Sequence, residues 1–260
     1  MPGSPLNMEK MIRNTDKKIL LMSHLVLGYP SMQANQEVID EMVASGVDLM
    51  ELQIPFSEPI ADGPMIALAN QNALDNGFKV KDGLEFIAQT IKKHKIPFLI
   101  MTYYNILMAY GVEEFIKEAA SIGVKGLIIP DLPPQEATQA ISWCKEHGEG
   151  SLDWIQLMTP TSSDVRLQEI GNNASGFVYC VARKGVTGND TDFGNELAQF
   201  IKRCRVATSL PLAVGFGVKS PQDVAQLSNL AEIAVVGTAA IKIHEEHGVK
   251  AVGDFFAGLR

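Results

Sequence analysis

Cysteine is scarce in this 260-residue chain, and the three present, Cys144, Cys180 and Cys204, form neither a CxxC pair nor a Cys/His cluster with metal-ligand spacing. Their odd number argues against a disulfide framework, so reduced structural thiols in the cytosol are the simpler reading, and no metal site is expected. A basic excess is also missing. Lys and Arg total 22 against 30 Asp and Glu, a formal net charge of −8. An acidic protein is not steered toward nucleic acid or an anionic membrane, so neither is expected as a partner, although a local basic pocket stays open. Residues 1–14, MPGSPLNMEKMIRN, lack the apolar core of a secretory leader, and the apolar stretch 19–27 is interrupted by Ser23 and His24. That is far short of the roughly 20 apolar residues that span a bilayer. A soluble, cytoplasmic protein is expected. Low-complexity tracts, linkers and charge runs are absent too, and a hydrophobic content of 46% supplies one large core. The expectation is one domain over 1–260, with residues 1–17 an extension or a helix ahead of the first strand.

What is present is an alternation. Strand patterns fall at 19–26, 47–54, 97–103, 126–130, 153–158, 176–181, 211–214 and 233–236. Between and after them, helical spacing runs over 31–45 with Ser31 as its cap, then over 65–74, 81–93, 112–121 and 134–147, the last with Pro134 in its first turn. Further helices are read at 163–170, 196–206, 221–227, 239–247 and 251–259. Strands as continuously apolar as LIIP and IAVV need cover on both faces. Eight such repeats predict an α/β fold of the (β/α)8 TIM barrel type, with a doubly wound open sheet as the alternative. The longest loop, 182–193, is polar, contains glycine and follows a strand, which suits a functional lid.

The chemistry gathers around residues 49–64. Leu49, Glu51 and Gln53 share one face of a strand, and a Glu on an inward face is costly unless it has a task or a partner. Pro55, Pro59 and Pro64 then stiffen a loop that carries Glu58 and Asp62. Asp62 before Gly63 and Pro64 also suits an ordinary turn, and Glu58 reads as a solvated loop charge or cap. No Lys or Arg occurs between Lys18 and Lys79, so a cationic partner for Glu51 has to come from elsewhere in the fold. In a barrel the C-terminal strand ends collect at one mouth, which places Glu51, Asp62, Tyr103, Asn105, Asp131, Tyr179, Gly215 and Gly237 together. Three glycine turns at that mouth, Gly185 to Gly188, Gly215 to Gly217, and Gly237 with Thr238 opening a helix, either simply end their strands or receive a phosphate. One carboxyl cycling as acid and base beside a second, fixed anion fits lyase chemistry on a phosphorylated substrate without a metal.

Six segments in order, ELQIPFSEPIADGP, MTYYN, GLIIPDLPPQEA, FVYCVARKGVTG, AVGFGVKSPQDV and VVGTAAIKI, span about 26–243. Through them the chain closely resembles the tryptophan synthase alpha subunit family, the first and fourth being specific together. The resemblance implies a (β/α)8 barrel lyase that cleaves indole-3-glycerol phosphate to indole and glyceraldehyde 3-phosphate. It also implies an alpha2beta2 assembly with a beta subunit that carries pyridoxal phosphate and uses the indole to make L-tryptophan, this chain holding no cofactor itself. Glu51 is then the acid/base and Asp62 the anion that holds the indole N–H. Tyr103 and Tyr179 line the indole pocket and channel mouth, and Thr187 and Gly188 belong to the lid, Thr187 also orienting the Asp. Gly188, Phe216, Gly217, Gly237 and Thr238 match phosphate-binding positions, while Pro59, Asn105 and Asp131 match the surface that faces the beta subunit.

The chain departs from the family's usual residues at Gln53 (Gly), Glu58 (Asp), His24 (Phe or Tyr), Tyr29 (Asp) and Ile106 (Pro). Gln53 and His24 alter the polarity of the indole pocket, and His24 is read as a core histidine rather than a catalytic one. Two other functions stay open at this point. One is an alpha-like subunit with weakened catalysis that mainly activates the beta subunit. The other is a stand-alone barrel enzyme for another phosphorylated substrate.

Overall fold

The computed structural model describes residues 8–182, 190–215 and 217–260, and of residues 190–193 the backbone alone. Eight parallel strands close on themselves in sequence order: β1 (Leu20–Val26), β2 (Leu49–Gln53), β3 (Phe98–Met101), β4 (Gly126–Ile128), β5 (Asp153–Met158), β6 (Val178–Val181), β7 (Leu212–Gly215) and β8 (Ile233–Val236). The open-sheet alternative is thereby removed. β8 pairs with β1 through Leu20 opposite Ile233, and β1 pairs with β2 through His24 opposite Glu51.

Helices follow the strands on the outside: α1 (Met8–Arg13) precedes β1, and α2 (Met32–Ala44) comes after it. α3 (Pro64–Asp75) and α4 (Val80–Lys93) follow β2, and α5 (Tyr104–Tyr110) and α6 (Val112–Ser121) follow β3. α7 (Thr138–Gly148), α8 (Asp164–Asn173), α9 (Asp190–Ala207) and α10 (Pro221–Leu227) follow β4 to β7, and α11 (Thr238–His247) and α12 (Val249–Gly258) complete the ring. The Ser31 cap is present, its side chain accepting from the Ala34 N–H at 3.1 Å.

Alternation divides the core into two. Residues facing the ring of helices, such as Leu21, Leu52, Ile100 and Trp154, pack with the helices' apolar stripes. Residues of the opposite register, among them Leu20, Met22, Leu49, Leu99, Ile128, Ile155 and Ile233, fill the barrel interior. Met8 and Ile12 of α1 join this inner group, each 2% exposed, so the first helix stoppers the N-terminal end of the barrel.

Three boundaries differ from the sequence reading. The helix expected over 134–147 starts at Thr138; residues 134–136 form a separate turn, the Glu136 and Ala137 N–H groups both bonding to the Pro133 carbonyl. The strand expected to run to 103 ends at Met101, and α5 takes over at Tyr104. The loop expected to continue to 193 gives way to α9 at Asp190.

Candidate active site

The C-terminal ends of the strands surround a cavity of about 440 Å³. Glu51, Asp62, Tyr179, Gly215, Gly217, Gly237 and Thr238 all border it, together with His24. Glu51 projects from β2 and is 4% exposed. Its partner comes from the neighbouring strand: His24 Nδ1 lies 2.8 Å from Glu51 Oε1. His24 is thus buried, as the sequence suggested, but it sits against the acid/base candidate, and its second nitrogen, Nε2, has no partner among the described residues. Burial works against charge on this ring. The Glu51 carboxylate, Asp62 and Gln53 outweigh it, and the His24 pKa stands above the ordinary histidine value.

Asp62 arrives on the loop after β2 and is held from two sides. Gln53 Nε2 donates to its Oδ2 at 2.7 Å, and the Tyr103 hydroxyl donates to the same oxygen at 3.0 Å. That hydroxyl also accepts from the Ala61 N–H at 3.0 Å, so it bonds to two successive loop residues. Tyr103 itself is fully buried, its ring stacked on Phe56 with centroids 5.0 Å apart. It therefore touches the cavity through Asp62. Burial and the Asp62 charge push its hydroxyl pKa far up, which keeps it a donor. Tyr179 is likewise pushed well above the ordinary tyrosine value by burial, with the Glu51 and Asp62 charges adding to it, and so remains a neutral phenol at the cavity wall.

A residue the sequence reading passed over organises this loop. Asn70 of α3 is fully buried, accepts from the Phe56 N–H at 2.9 Å and from Gln53 Nε2 at 3.3 Å, and donates to the Ile66 carbonyl at 2.8 Å. The only available signal was one amide in the run Asn70, Gln71, Asn72, and periodicity alone does not tell which of the three is turned inward.

On the other side of β1 from β2, beside His24, Gly237 follows β8 and Thr238 begins α11. No side chain caps this helix, so the free N–H groups and positive dipole end of its first turn lie at the cavity edge. Gly217 has φ +87, a conformation that L side chains rarely adopt, and a Cβ at Gly215 would press on the Tyr179 ring, meeting its hydroxyl at 3.0 Å. Thr187, Gly188 and Phe216 lie outside the described residues.

Of the remaining candidates, Asn105 is exposed and Pro59 half-exposed. Asp131 is committed locally: both its oxygens accept from the Tyr104 N–H, at 2.9 and 3.1 Å, which caps α5 from the end of the adjacent strand. Among the described residues no group of three or more His, Cys, Asp or Glu is placed to hold a metal ion, and no helix is long and apolar enough to cross a membrane.

A sequence model of the tryptophan synthase alpha chain matches residues 11–253. The alpha chain of Desulfotalea psychrophila is 48% identical over 257 residues, covering 98% of this chain and 100% of that relative. The alpha chain of Desulforapulum autotrophicum is 51% identical over 247 residues, covering 95% and 96%. Among solved structures, the aminoacrylate-bound tryptophan synthase of M. tuberculosis superposes with a TM-score of 0.87 at 30% identity, over 98% of each chain. The alpha subunit from Campylobacter jejuni gives 0.86 at 30% identity, over 99% of this chain and 100% of that one. A barrel closed in the same order, matched along nearly its whole length, places this chain in the tryptophan synthase alpha chain family.

Proposed function

We propose that Glu51 and Asp62 divide between them the cleavage of indole-3-glycerol phosphate, the lyase reaction of this tryptophan synthase alpha chain. The carbon–carbon bond breaks only once the indole ring carbon that bears the glycerol chain is protonated, which leaves the ring cationic. In the substrate complex Glu51, protonated on Oε2, gives that proton. Asp62, beside the ring N–H, stabilises the positive charge while it exists. Glu51, now a carboxylate, takes the proton of the adjacent glycerol hydroxyl; the hydroxyl oxygen becomes the aldehyde of glyceraldehyde 3-phosphate, and the electrons of the broken bond restore the aromatic indole. One proton leaves Glu51 and one returns, so the cycle closes without a cofactor.

The observation that carries this assignment is the pair of carboxylates bordering one cavity under different restraint. Glu51 is gripped through one oxygen, Oε1, while Asp62 accepts two hydrogen bonds on one oxygen, as suits a fixed anion. The phosphate is assigned to Gly217, Gly237 and Thr238 at the uncapped start of α11, with Gly188 and Phe216, and Tyr179 and Thr187 to the indole side. Indole passes to a beta subunit that holds the pyridoxal phosphate, in an alpha2beta2 complex whose alpha face includes Pro59, Asn105 and Asp131. Ile60 and Met108, 81% and 60% exposed in the segments after β2 and β3, supply apolar surface for that contact. Glu51→Gln should lower indole release from indole-3-glycerol phosphate by about 10²-fold or more. Near-parental release from this variant, with the beta subunit present, sinks the assignment.

A further inference from the structure

The two carboxylates are held by different neighbours, His24 on β1 and Gln53 on β2, and Gln53 lies close enough to act on the His24 ring. His24 takes Glu51, Gln53 takes Asp62, and one atom on each of these neighbours is left over. His24 Nε2 and Gln53 Oε1 are both buried, and among the described residues both lack a partner at bonding geometry. An amide oxygen can only accept, and its identity is fixed here, because the other amide atom donates to a carboxylate. Nδ1 of His24 must carry a proton to meet an ionised Glu51. A second proton on Nε2 would turn the two unpaired atoms, on side chains that already interact, into a donor and an acceptor able to satisfy each other.

We propose that His24 is a positioning residue that works as an imidazolium, with Nδ1–H on Glu51 and Nε2–H on Gln53, so that Glu51, His24, Gln53 and Asp62 form one continuous hydrogen-bonded chain. The proposal rests on the roles given above to Glu51 and Asp62. Three consequences follow from the geometry. Binding through Oε1 leaves Oε2 of Glu51 as the oxygen that meets the substrate. A buried cation between two anions lowers the charge that a phosphorylated substrate must approach. Movement of Asp62 is transmitted to Glu51 through two side chains, so the acid/base and the ring-stabilising anion are set together.

The groups acting on His24 are few. Glu51 and Asp62 are the charges that favour its protonated form, Gln53 favours it as a hydrogen-bond partner, and burial opposes it. Tyr179 shares its cavity, and on the outer side of β1 Tyr29 and His244 border a second small cavity that His24 also touches. A ring whose pKa is raised is charged below that value and loses its charge as pH rises through it, so the bridge opens on the alkaline side.

The test uses ¹⁵N-histidine NMR of the full chain and the pH profile of indole release. The NMR spectrum should show the His24 ring doubly protonated at pH 7, and Glu51→Gln should lower its titration midpoint by about one unit or more, since the adjacent charge is gone. His24→Asn keeps one N–H for Glu51 without a titratable ring, and His24→Phe keeps neither. Expected are a kcat loss of about tenfold in His24→Phe with KM within about twofold, partial recovery in His24→Asn, and absence from both of the alkaline limb that follows the His24 midpoint in the parent. A singly protonated ring at pH 7, or a His24→Asn profile that superimposes on the parent's, overturns the bridge. Because the ring's state is read by NMR, a Glu51→Gln variant that still releases indole refutes the catalytic roles without touching this reading.

Discussion

Tyr103→Phe removes one oxygen and almost nothing else. The ring stays buried and stacked on Phe56, so the apolar contribution of the side chain is retained. What disappears is the hydroxyl's 3.0 Å bond to Asp62 Oδ2 and its acceptance of the Ala61 N–H. A hydrogen bond to a charged group contributes about 1.5–3 kcal/mol, equivalent to roughly ten- to hundredfold in rate if the whole of it is used to orient the reacting anion. Gln53 still holds the same oxygen at 2.7 Å, so the loss belongs at the low end, about tenfold in kcat/KM. Gln53→Leu should cost a similar factor. The double variant, with both donors removed from one oxygen, should lose more than the product of the two, by a coupling of about 0.5 kcal/mol or more. The assay is indole release from indole-3-glycerol phosphate with saturating beta subunit, with thermal denaturation of each variant alongside. A Tyr103→Phe enzyme within twofold of the parent would show that Asp62 needs no support from this side.

Gly126 on β4 offers a test at the opposite end of the barrel. A Cβ there would meet Leu99 Cδ2 at 3.0 Å, Ile155 Cγ1 at 3.3 Å and Met8 Cε at 3.3 Å. Gly126→Ala should therefore destabilise the fold by about 1–3 kcal/mol while leaving indole release unchanged, and a melting temperature equal to the parent's would contradict the packing described for α1. The three cysteines are all buried and unpaired by disulfides; burial, with a smaller contribution from Asp153, pushes Cys144 up to about 12, and the Cys204 contact together with burial raises Cys180. A thiol reagent at pH 8 should label none of them until denaturant is added, and rapid labelling of the native chain would refute this.

The strands were legible because a barrel strand is apolar on both faces, and stretches such as 233–236 have no other stable use. β8 appears with the expected limits. α5 was not legible. Its first N–H, that of Tyr104, is satisfied by Asp131, which is distant in sequence and comes close only once β3 and β4 pair. The same reason hid the contact between His24 and Glu51. Each residue was visible as a departure from its surroundings, but their meeting depends on the register of β1 against β2, and a sequence pattern of period two fixes faces without fixing register. Asn70 shows a third limit, since its task is to bond backbone and side chains in a loop whose path was unknown.

The helix that stoppers the barrel also bears on where protons can go. With Met8 and Ile12 filling one end, the interior is a blind tube, and traffic to Glu51 and His24 runs through the mouth. Under the roles proposed for Glu51 and His24, substrate bound at that mouth would stand between Glu51 and bulk solvent for the duration of a turnover, and the proton that Glu51 recovers from the glycerol hydroxyl would stay in the site.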